Sequence, residues 1–368
     1  MSVFSLHSKV FLGPRALEEL GALDLGNLCI VCDPYMEQSG VAAKLEAQLA
    51  PRFTACQIFS KVVPDPTVEV VIAGVKLLAK FRPDTVIALG GGSAIDTGKA
   101  MSYLYSKVTG CKKPHCVAIP TTSGTGSEVT SFAVISDPEH HIKYALSDEE
   151  LLPDMAALLP ELTLSVPAPV TADTGFDVLT HALEAYVSPK ATDFSDALAE
   201  KAVELVFSYL PRAVQNGGDA AARERLHSAS CMAGMAFQNS SLGLCHGMAH
   251  PLGAQFHLSH GRANALLLPH IVCWNAQTAG AKYAAMAKRL GGYGTQETVA
   301  VHFLVRKITE LSCSVAIPST LKACGISEAD YRQNEDALVL AALGDRCTPG
   351  NPTPATPEEV RKLYRSIL

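Results

Sequence analysis

The residues of this chain with the clearest chemical potential are one acid and four histidines spaced as helix neighbours. Asp177-Val-Leu-Thr-His181 lies in an apolar, helix-patterned run, so its carboxylate and imidazole stand one turn apart on one face. His246-Gly-Met-Ala-His250 repeats the i, i+4 spacing, and His260 follows just before Gly261. A lone histidine on an apolar face is usually a core residue with its hydrogen bonds satisfied. An acid and several imidazoles projecting together from apolar helices are costly to bury unless a cation or hydrogen bonds meet them. Imidazole and carboxylate donors suit Fe²⁺ or Zn²⁺, and no thiolate is required. Five candidates exceed what an open catalytic site needs, so one histidine is expected to handle protons or to support the ligands. The remaining histidines carry less signal. His140-His141 sits in a polar turn read as solvated, and His257 and His270 have no partner at ligand spacing.

A second chemistry is written in glycine. Thr85-Val-Ile-Ala-Leu-Gly-Gly-Gly-Ser-Ala-Ile-Asp-Thr-Gly-Lys99 passes from a strand-type run through three glycines into a helix pattern. Glycines let a ligand approach the backbone, and the first-turn N–H groups of a helix are anion donors, so Gly91, Gly92 and Ser93 are candidates for a pyrophosphate. The plain alternative is a tight turn with Ser93 as the helix cap. The spacing is not the G-x-G-x-x-G fingerprint of an ordinary Rossmann site. A second loop of small and hydroxyl residues, Pro120-Thr-Thr-Ser-Gly-Thr-Gly-Ser127, follows the next strand-type run. Ligands bind at the carboxyl ends of parallel strands, so two such loops in succession favour a nucleotide. Asp33 ends an earlier strand, where an acid accepts from a ribose 2′-hydroxyl and repels a 2′-phosphate; equally, it is a turn residue before Pro34.

These groups need elements to hold them. Leu28–Cys32, Thr85–Leu89 and Cys116–Ile119 read as strands, short and bounded by turn residues. Between them Val41–Leu49 and Val68–Phe81 read as amphipathic helices, the second capped by Thr67, and residues 1–20 read as a strand and helix of the same domain. That alternation predicts a parallel sheet covered by helices. Pro153, Pro160, Pro167 and Pro169 then interrupt the chain, where no long helix runs unbroken. Beyond them Thr171–Val187, Asp193–Leu210, Ala220–Gln238 and Ala276–Leu290 are helical, and strand signals nearly vanish. The expected organisation is an α/β dinucleotide-binding domain over 1–166 and an all-helical metal and substrate domain over 167–368. A proline-rich loop, 348–357, precedes a last short helix.

The totals agree with an enzyme of this plan. The 368 residues suffice for two domains, and 18% charged residues argue against extended disorder. A net charge of −6 with scattered Lys and Arg gives no footprint for nucleic acid. No apolar run approaches the roughly 20 residues that span a bilayer, and the start lacks the pattern of a secretory signal, so no membrane partner is expected. The 11 cysteines have no repeating spacing and suit free thiols in a reducing cytosol. Cys29-x-x-Cys32 falls inside an apolar strand without a second pair, and reads as structural rather than as a redox or zinc motif.

In combination, Gly90-Gly-Gly-Ser-x-x-Asp96, Pro120-Thr-Thr-Ser-Gly-Thr-Gly-Ser-Glu-Val-Thr130, Asp177-x-x-Thr-His181 and His246-Gly-Met-Ala-His-Pro-Leu-Gly253 with His260-Gly261 resemble the iron-containing (group III) alcohol dehydrogenases. The resemblance covers roughly residues 4–275. Val178-Leu-Thr-His-Ala-Leu-Glu-Ala-Tyr-Val-Ser-Pro189 and Phe194-Ser-Asp-Ala-Leu-Ala-Glu-Lys201 are similar in particular to members that act on 1-propanol in propanediol-utilising bacteria. The resemblance implies a dehydroquinate synthase-like fold, with a Rossmann-like α/β domain before an all-α domain. It implies NAD as cofactor and Fe²⁺, with Zn²⁺ as a substitute, held by Asp177, His181, His246 and His260, and His250 as a non-ligand that passes protons. Gly91, Gly92, Ser93 and Asp96 would meet the pyrophosphate side, and Thr121, Thr122 and Thr125 the ribose and nicotinamide. Lys143 and Leu162 occupy cofactor-contact positions, Asp33 selects against NADP, and Phe237 lines the substrate pocket. Phe132 stands where a diol-specific relative has a polar residue, which leans towards a simple alcohol. The implied partners are a small alcohol or aldehyde, a second copy of the chain in a dimer, and shell or enzyme proteins of a bacterial microcompartment in the cytoplasm. Rivals of the same architecture are a zinc polyol dehydrogenase and a dehydroquinate synthase-like lyase; a metal hydrolase with a merely structural glycine loop is the rival from another class. The lyase should carry more basic residues around its metal than this chain does.

Overall fold

The computed structural model describes all residues except 1, 2, 14, 21, 140, 141, 294 and 295, and excludes the side chains of 142 and 143. The chain divides into two compact units, Leu6–Thr163 and Leu164–Leu368, the second also holding Phe4 and Ser5. Phe4 stacks on Phe194 at 5.3 Å, and the Ser5 N–H donates to Asn239 Oδ1 at 2.8 Å.

The first unit runs β1 (Lys9–Leu12), α1 (Ala16–Leu20), β2 (Gly26–Cys32), α2 (Pro34–Gln38), α3 (Val41–Leu49), β3 (Phe53–Phe59), α4 (Val68–Phe81), β4 (Thr85–Gly90), α5 (Gly92–Thr109), β5 (His115–Pro120), β6 (Phe132–Asp137), β7 (Ile142–Ser147) and β8 (Met155–Leu158). Six strands form one parallel sheet in the order β1-β8-β5-β4-β2-β3, while β6 and β7 form a separate antiparallel pair. Alternate residues of β2 and β4 feed opposite faces, as the two-residue strand period demands. Leu28, Ile30, Cys32, Ile87 and Leu89 pack with Leu20, Leu45 and Leu49, whereas Cys29, Val31 and Val86 pack with Val71, Leu78, Met101 and Tyr105. Cys29 and Cys32 therefore enter different cores as free thiols, and burial pushes both up to about 12. The spacing has a structural meaning, as expected.

Three strands of the sheet and the hairpin went unread or only loosely placed in the sequence. β3 is a half-exposed edge strand containing Ala, Cys and Gln. β8, Met-Ala-Ala-Leu, consists of helix-favouring residues held extended between β1 and β5. Sheet context overrides propensity at such positions. Thr67 caps α4 by accepting from Val70 N, as its sequence position predicts.

The second unit contains α6 (Ala168–Val187), α7 (Asp193–Gln215), α8 (Ala220–Ser240), α9 (Leu244–Phe256), α10 (His260–Arg289), α11 (Glu297–Ser314), α12 (Glu328–Gly344) and α13 (Pro357–Arg365). No strand occurs among its described residues. α6 starts three residues before Thr171, because a proline is tolerated in the first turn of a helix and Pro169 lies there. α10 begins sixteen residues before Ala276, running through Pro269 and absorbing a kink at Ala279. Thr192 and Thr356 close capping boxes on α7 and α13. Among the described residues no helix is long and apolar enough to cross a membrane.

Candidate metal centre and dinucleotide loops

α6 presents Asp177 and His181 on one face, α9 contributes His246, and α10 begins with His260. The helices bring one donor atom from each to within 4.8 Å of the others. Asp177 Oδ1 is the common neighbour, at 3.2 Å from His260 Nε2, 3.6 Å from His246 Nε2 and 3.9 Å from His181 Nε2. Asp177, His181 and His246 are buried, and His260 reaches partly to solvent. Burial alone would raise the Asp177 pKa, but the surrounding imidazoles hold it well below the usual carboxylate range.

His246 is held from behind. Its Nδ1 lies 2.5 Å from Glu184 Oε2, and the other Glu184 oxygen accepts from Cys245 N at 2.6 Å. A carboxylate only accepts, so Nδ1 carries a proton towards Glu184, and Nε2 faces Asp177, where a bound cation would take its lone pair. Burial lowers the pKa of His246, yet Glu184 and Asp177 outweigh it and keep the ring at about 9. Lone pairs facing a carboxylate repel unless a proton or a cation stands among them. This donor set, three imidazoles and a carboxylate around one point, fits a single Fe²⁺ or Zn²⁺.

His250 is not one of the four converging donors. Its ring stacks on His260 at 5.2 Å and 15°, and its Nδ1 lies 2.8 Å from Asp345 Oδ2. Its pKa is lowered chiefly by desolvation. Phe237 is buried with its ring 4.6 Å from that of His181, giving the donor set an aromatic wall. His257 ends α9 in a left-handed conformation and is exposed. His270 lines a separate surface groove of about 380 Å³ with Trp274 and Lys362. His140 and His141 lie outside the described residues.

Three residues at this centre were not assigned a role from sequence. Glu184 stands seven positions beyond Asp177 in the same apolar helix, and a buried acid there was a readable signal. Asn264 sits one turn after His260 and donates to Asp177 Oδ1 at 2.9 Å. Asp345 is 95 positions from the histidine it contacts, and nothing local marks it.

In the other unit, α5 is capped by Gly91 rather than by Ser93, which falls in the first turn. The N–H groups of Gly92 and Ser93 thus precede the first intrahelical bond and are available to an anion. A Cβ on Gly92 would stand 2.8 Å from Thr125 Cγ2, so the glycine lets the two loops touch. Thr121 N donates to Gly90 O at 3.0 Å, and Thr122 lies against Gly91. Cys32 pairs with Leu89, so Asp33 and Gly90 leave the sheet side by side. Asp33 Oδ1 also caps α2 by accepting from Met36 N at 3.0 Å, so the turn role is real too.

Asp96 is engaged with neighbours in its own unit. Its Oδ1 accepts from Ser127 Oγ at 2.5 Å and its Oδ2 from Val134 N at 2.9 Å. The carboxylate braces the second loop. Buried Lys99 completes the brace, donating to Ser127 O at 3.0 Å and Oγ at 2.8 Å. Leu162 packs partly buried against the core of this unit, and Phe132 is half-buried, paired in register with Ser147. The side chain of Lys143 lies outside the described residues.

Comparison with known proteins supplies the wider setting. A family model described as "Iron-containing alcohol dehydrogenase" matches residues 7–160, and one described as "Fe-containing alcohol dehydrogenase family, C-terminal" matches residues 171–368. The chain is 45% identical, over the full length of both proteins, to the 1-propanol dehydrogenase PduQ of Salmonella typhimurium. It is 38% identical to the NADPH-dependent butanol dehydrogenase of Clostridium saccharobutylicum, covering 100% of this chain and 98% of that one. Among solved structures it is similar to the sulfoacetaldehyde reductase of Bifidobacterium kashiwanohense in complex with NAD⁺. That match has a TM-score of 0.89 and 27% identity, covering 100% of this chain and 98% of the other.

Proposed function

This chain belongs to the iron-containing alcohol dehydrogenase family, and from that premise we propose that it interconverts a small primary alcohol such as 1-propanol and its aldehyde with NAD. The observation that carries the reading is the convergence of Asp177, His181, His246 and His260 on one point. In this reading those four side chains hold one divalent cation, Fe²⁺ or Zn²⁺. Bound there, the cation supplies Lewis acidity to the alcohol or aldehyde oxygen.

The chain's own residues do the rest. Glu184 keeps His246 in the tautomer whose Nε2 is a donor to the centre. Phe237, packed on His181, keeps water from that side of the site. Gly91, Gly92 and Ser93 receive the pyrophosphate, while Thr121, Thr122 and Thr125 offer hydroxyls to ribose and nicotinamide. Asp96 and Lys99 act one step back, holding the loop that carries Thr125. NAD bound at these loops would supply the acceptor for the carbinol hydride in oxidation, and His250 takes the hydroxyl proton towards solvent. Its partly exposed ring, beside His260, suits that task. Asp33 favours NAD because its charge opposes a 2′-phosphate. Lys143 and Leu162 are assigned to the cofactor, and Phe132 with Phe237 to the substrate pocket. The assembly we assign is a dimer, and the setting a bacterial microcompartment.

The test is an anaerobic screen of C2–C4 aldehydes with NADH and NADPH on protein loaded with Fe²⁺ or Zn²⁺. Propanal reduction with NADH supports the reading; failure with every aldehyde and metal overturns it.

A further inference from the structure

The two histidines of His246-Gly-Met-Ala-His250 are held in the same way by carboxylates from different elements. Glu184 of α6 meets Nδ1 of His246, and Asp345, at the end of α12, meets Nδ1 of His250 at 2.8 Å. In each ring a proton on Nδ1 leaves the Nε2 lone pair outward. We propose that Asp345 is the positioning residue of His250, fixing the tautomer and ring direction in which Nε2 can receive the substrate's proton. The proposal deepens the assigned role of His250 and rests on it.

Asp345 is itself immobilised. Its second oxygen accepts from Cys347 N at 2.7 Å, and its side chain is only 15% exposed. The segment that follows lies directly on α9. Thr348 Oγ1 donates to Ala342 O at 2.6 Å, and a Cβ on Gly247 would come within 2.1 Å of Thr348 Oγ1. Asn351 Oδ1 accepts from Leu244 N at 3.1 Å and from Asn275 Nδ2 at 3.0 Å, tying the strap to the first turn of α9. A carboxylate anchored at one oxygen and fixed by its backbone cannot follow a rotating ring, so the ring must conform to it. The stack on His260 fixes the remaining freedom, the plane of the imidazole. The residues between 345 and 351 thus form a clamp beneath the helix that carries both histidines.

His250, Asp345 and Cys347 also bring donor atoms within 4.8 Å of one another, so a second cation on this trio is the competing assignment. The experiment uses full-length protein loaded with one equivalent of Zn²⁺ and labelled with ¹⁵N in histidine, with the His250 signals identified by loss in His250→Asn. The wild type should show a neutral, Nδ1-protonated His250. In Asp345→Leu the ring should populate both tautomers, and kcat should fall by about 10- to 100-fold with the alcohol KM within about twofold. Asp345→Asn, of equal size and able to keep the Cys347 contact through its oxygen, turns its NH₂ to Nδ1, so it should fold like wild type but drive the ring proton to Nε2 and lower kcat at least as far as Asp345→Leu, whereas Asp345→Glu should recover part of the rate. A His250 ring that stays Nδ1-protonated in Asp345→Leu overturns the proposal. So does a rate unaffected by tautomer mixing, or a second equivalent of Zn²⁺ that removes the Nδ1 proton. If instead His250→Ala leaves kcat unchanged, the proton-carrier reading falls, while the tautomer measurement still reports whether Asp345 sets the ring.

Discussion

Replacing Glu184 by Gln tests whether the donor set depends on the acid behind it. The wild-type carboxylate serves two donors at once, Cys245 N at 2.6 Å and His246 Nδ1 at 2.5 Å. An amide cannot do both. If its oxygen stays on Cys245 N, its NH₂ faces His246 Nδ1, which must then become an acceptor. The ring proton moves to Nε2 and points at Asp177, closing that donor to a cation. If the amide turns the other way, NH₂ meets the Cys245 N–H in a buried place, at a cost of about 1–3 kcal/mol. Either route weakens metal binding by about 10- to 100-fold, which corresponds to about 1.4–2.7 kcal/mol. Competition against a chromophoric chelator for Zn²⁺ at pH 7 measures this directly. An affinity within about threefold of wild type, in a variant that melts normally, would refute the reasoning, since His246 would not need Glu184 for its tautomer.

Further expectations concern the cofactor loops and the fold. Asp33→Ser keeps a side-chain cap for α2 but removes the charge, so the preference for NADH over NADPH should fall by about tenfold, the scale of one partly solvated charge contact. Paired initial-rate measurements with the two cofactors check it. Gly92→Ala places a methyl group 2.8 Å from Thr125 Cγ2, and NADH titrated by fluorescence should bind about tenfold more weakly. Adding Thr125→Ser, which deletes that methyl, should recover part of the loss. Glu335 joins α12 to α13 through Arg365 at 2.7 Å, and this contact, aided by Tyr331, holds its carboxyl down to about 2. A depressed acid stabilises the fold above its ordinary pKa and loses that contribution as pH falls. Glu335→Gln should therefore cost about 1–2 kcal/mol at pH 7, after discounting for the exposed arginine, and lower Tm by a few degrees. The gap from wild type should narrow as pH drops from 4.5 towards 2.

Much of the site was legible because its spacing carries its geometry. Asp177 and His181 share a helical face at any tertiary arrangement, and an acid with imidazoles on apolar helices demands a partner. The glycine loop was legible for a similar reason, although its cap is Gly91 and not Ser93. The protein partners of Asp96, Ser127 and Val134, were not legible, because they arrive from a loop and strand whose placement only the folded sheet determines. The hold on His250 was invisible, since Asp345 ends a helix far along the chain, just before the segment that read as a proline-rich loop. The central strands announced themselves by unbroken apolar residues, whereas β3 and β8 became strands through their neighbours. Local pattern thus revealed chemistry placed on single helices, and missed what depends on contact between distant segments.

The most direct test is metal stoichiometry measured alongside turnover. Wild-type protein and Asp177→Ala, His246→Ala and His260→Ala would each be loaded anaerobically with Fe²⁺, freed of excess metal, and assayed for iron and for propanol-dependent NADH formation. The account predicts about one iron per wild-type chain, and parallel loss of iron and activity in each variant with the fold retained by circular dichroism. Full turnover by a variant that binds no metal would contradict it.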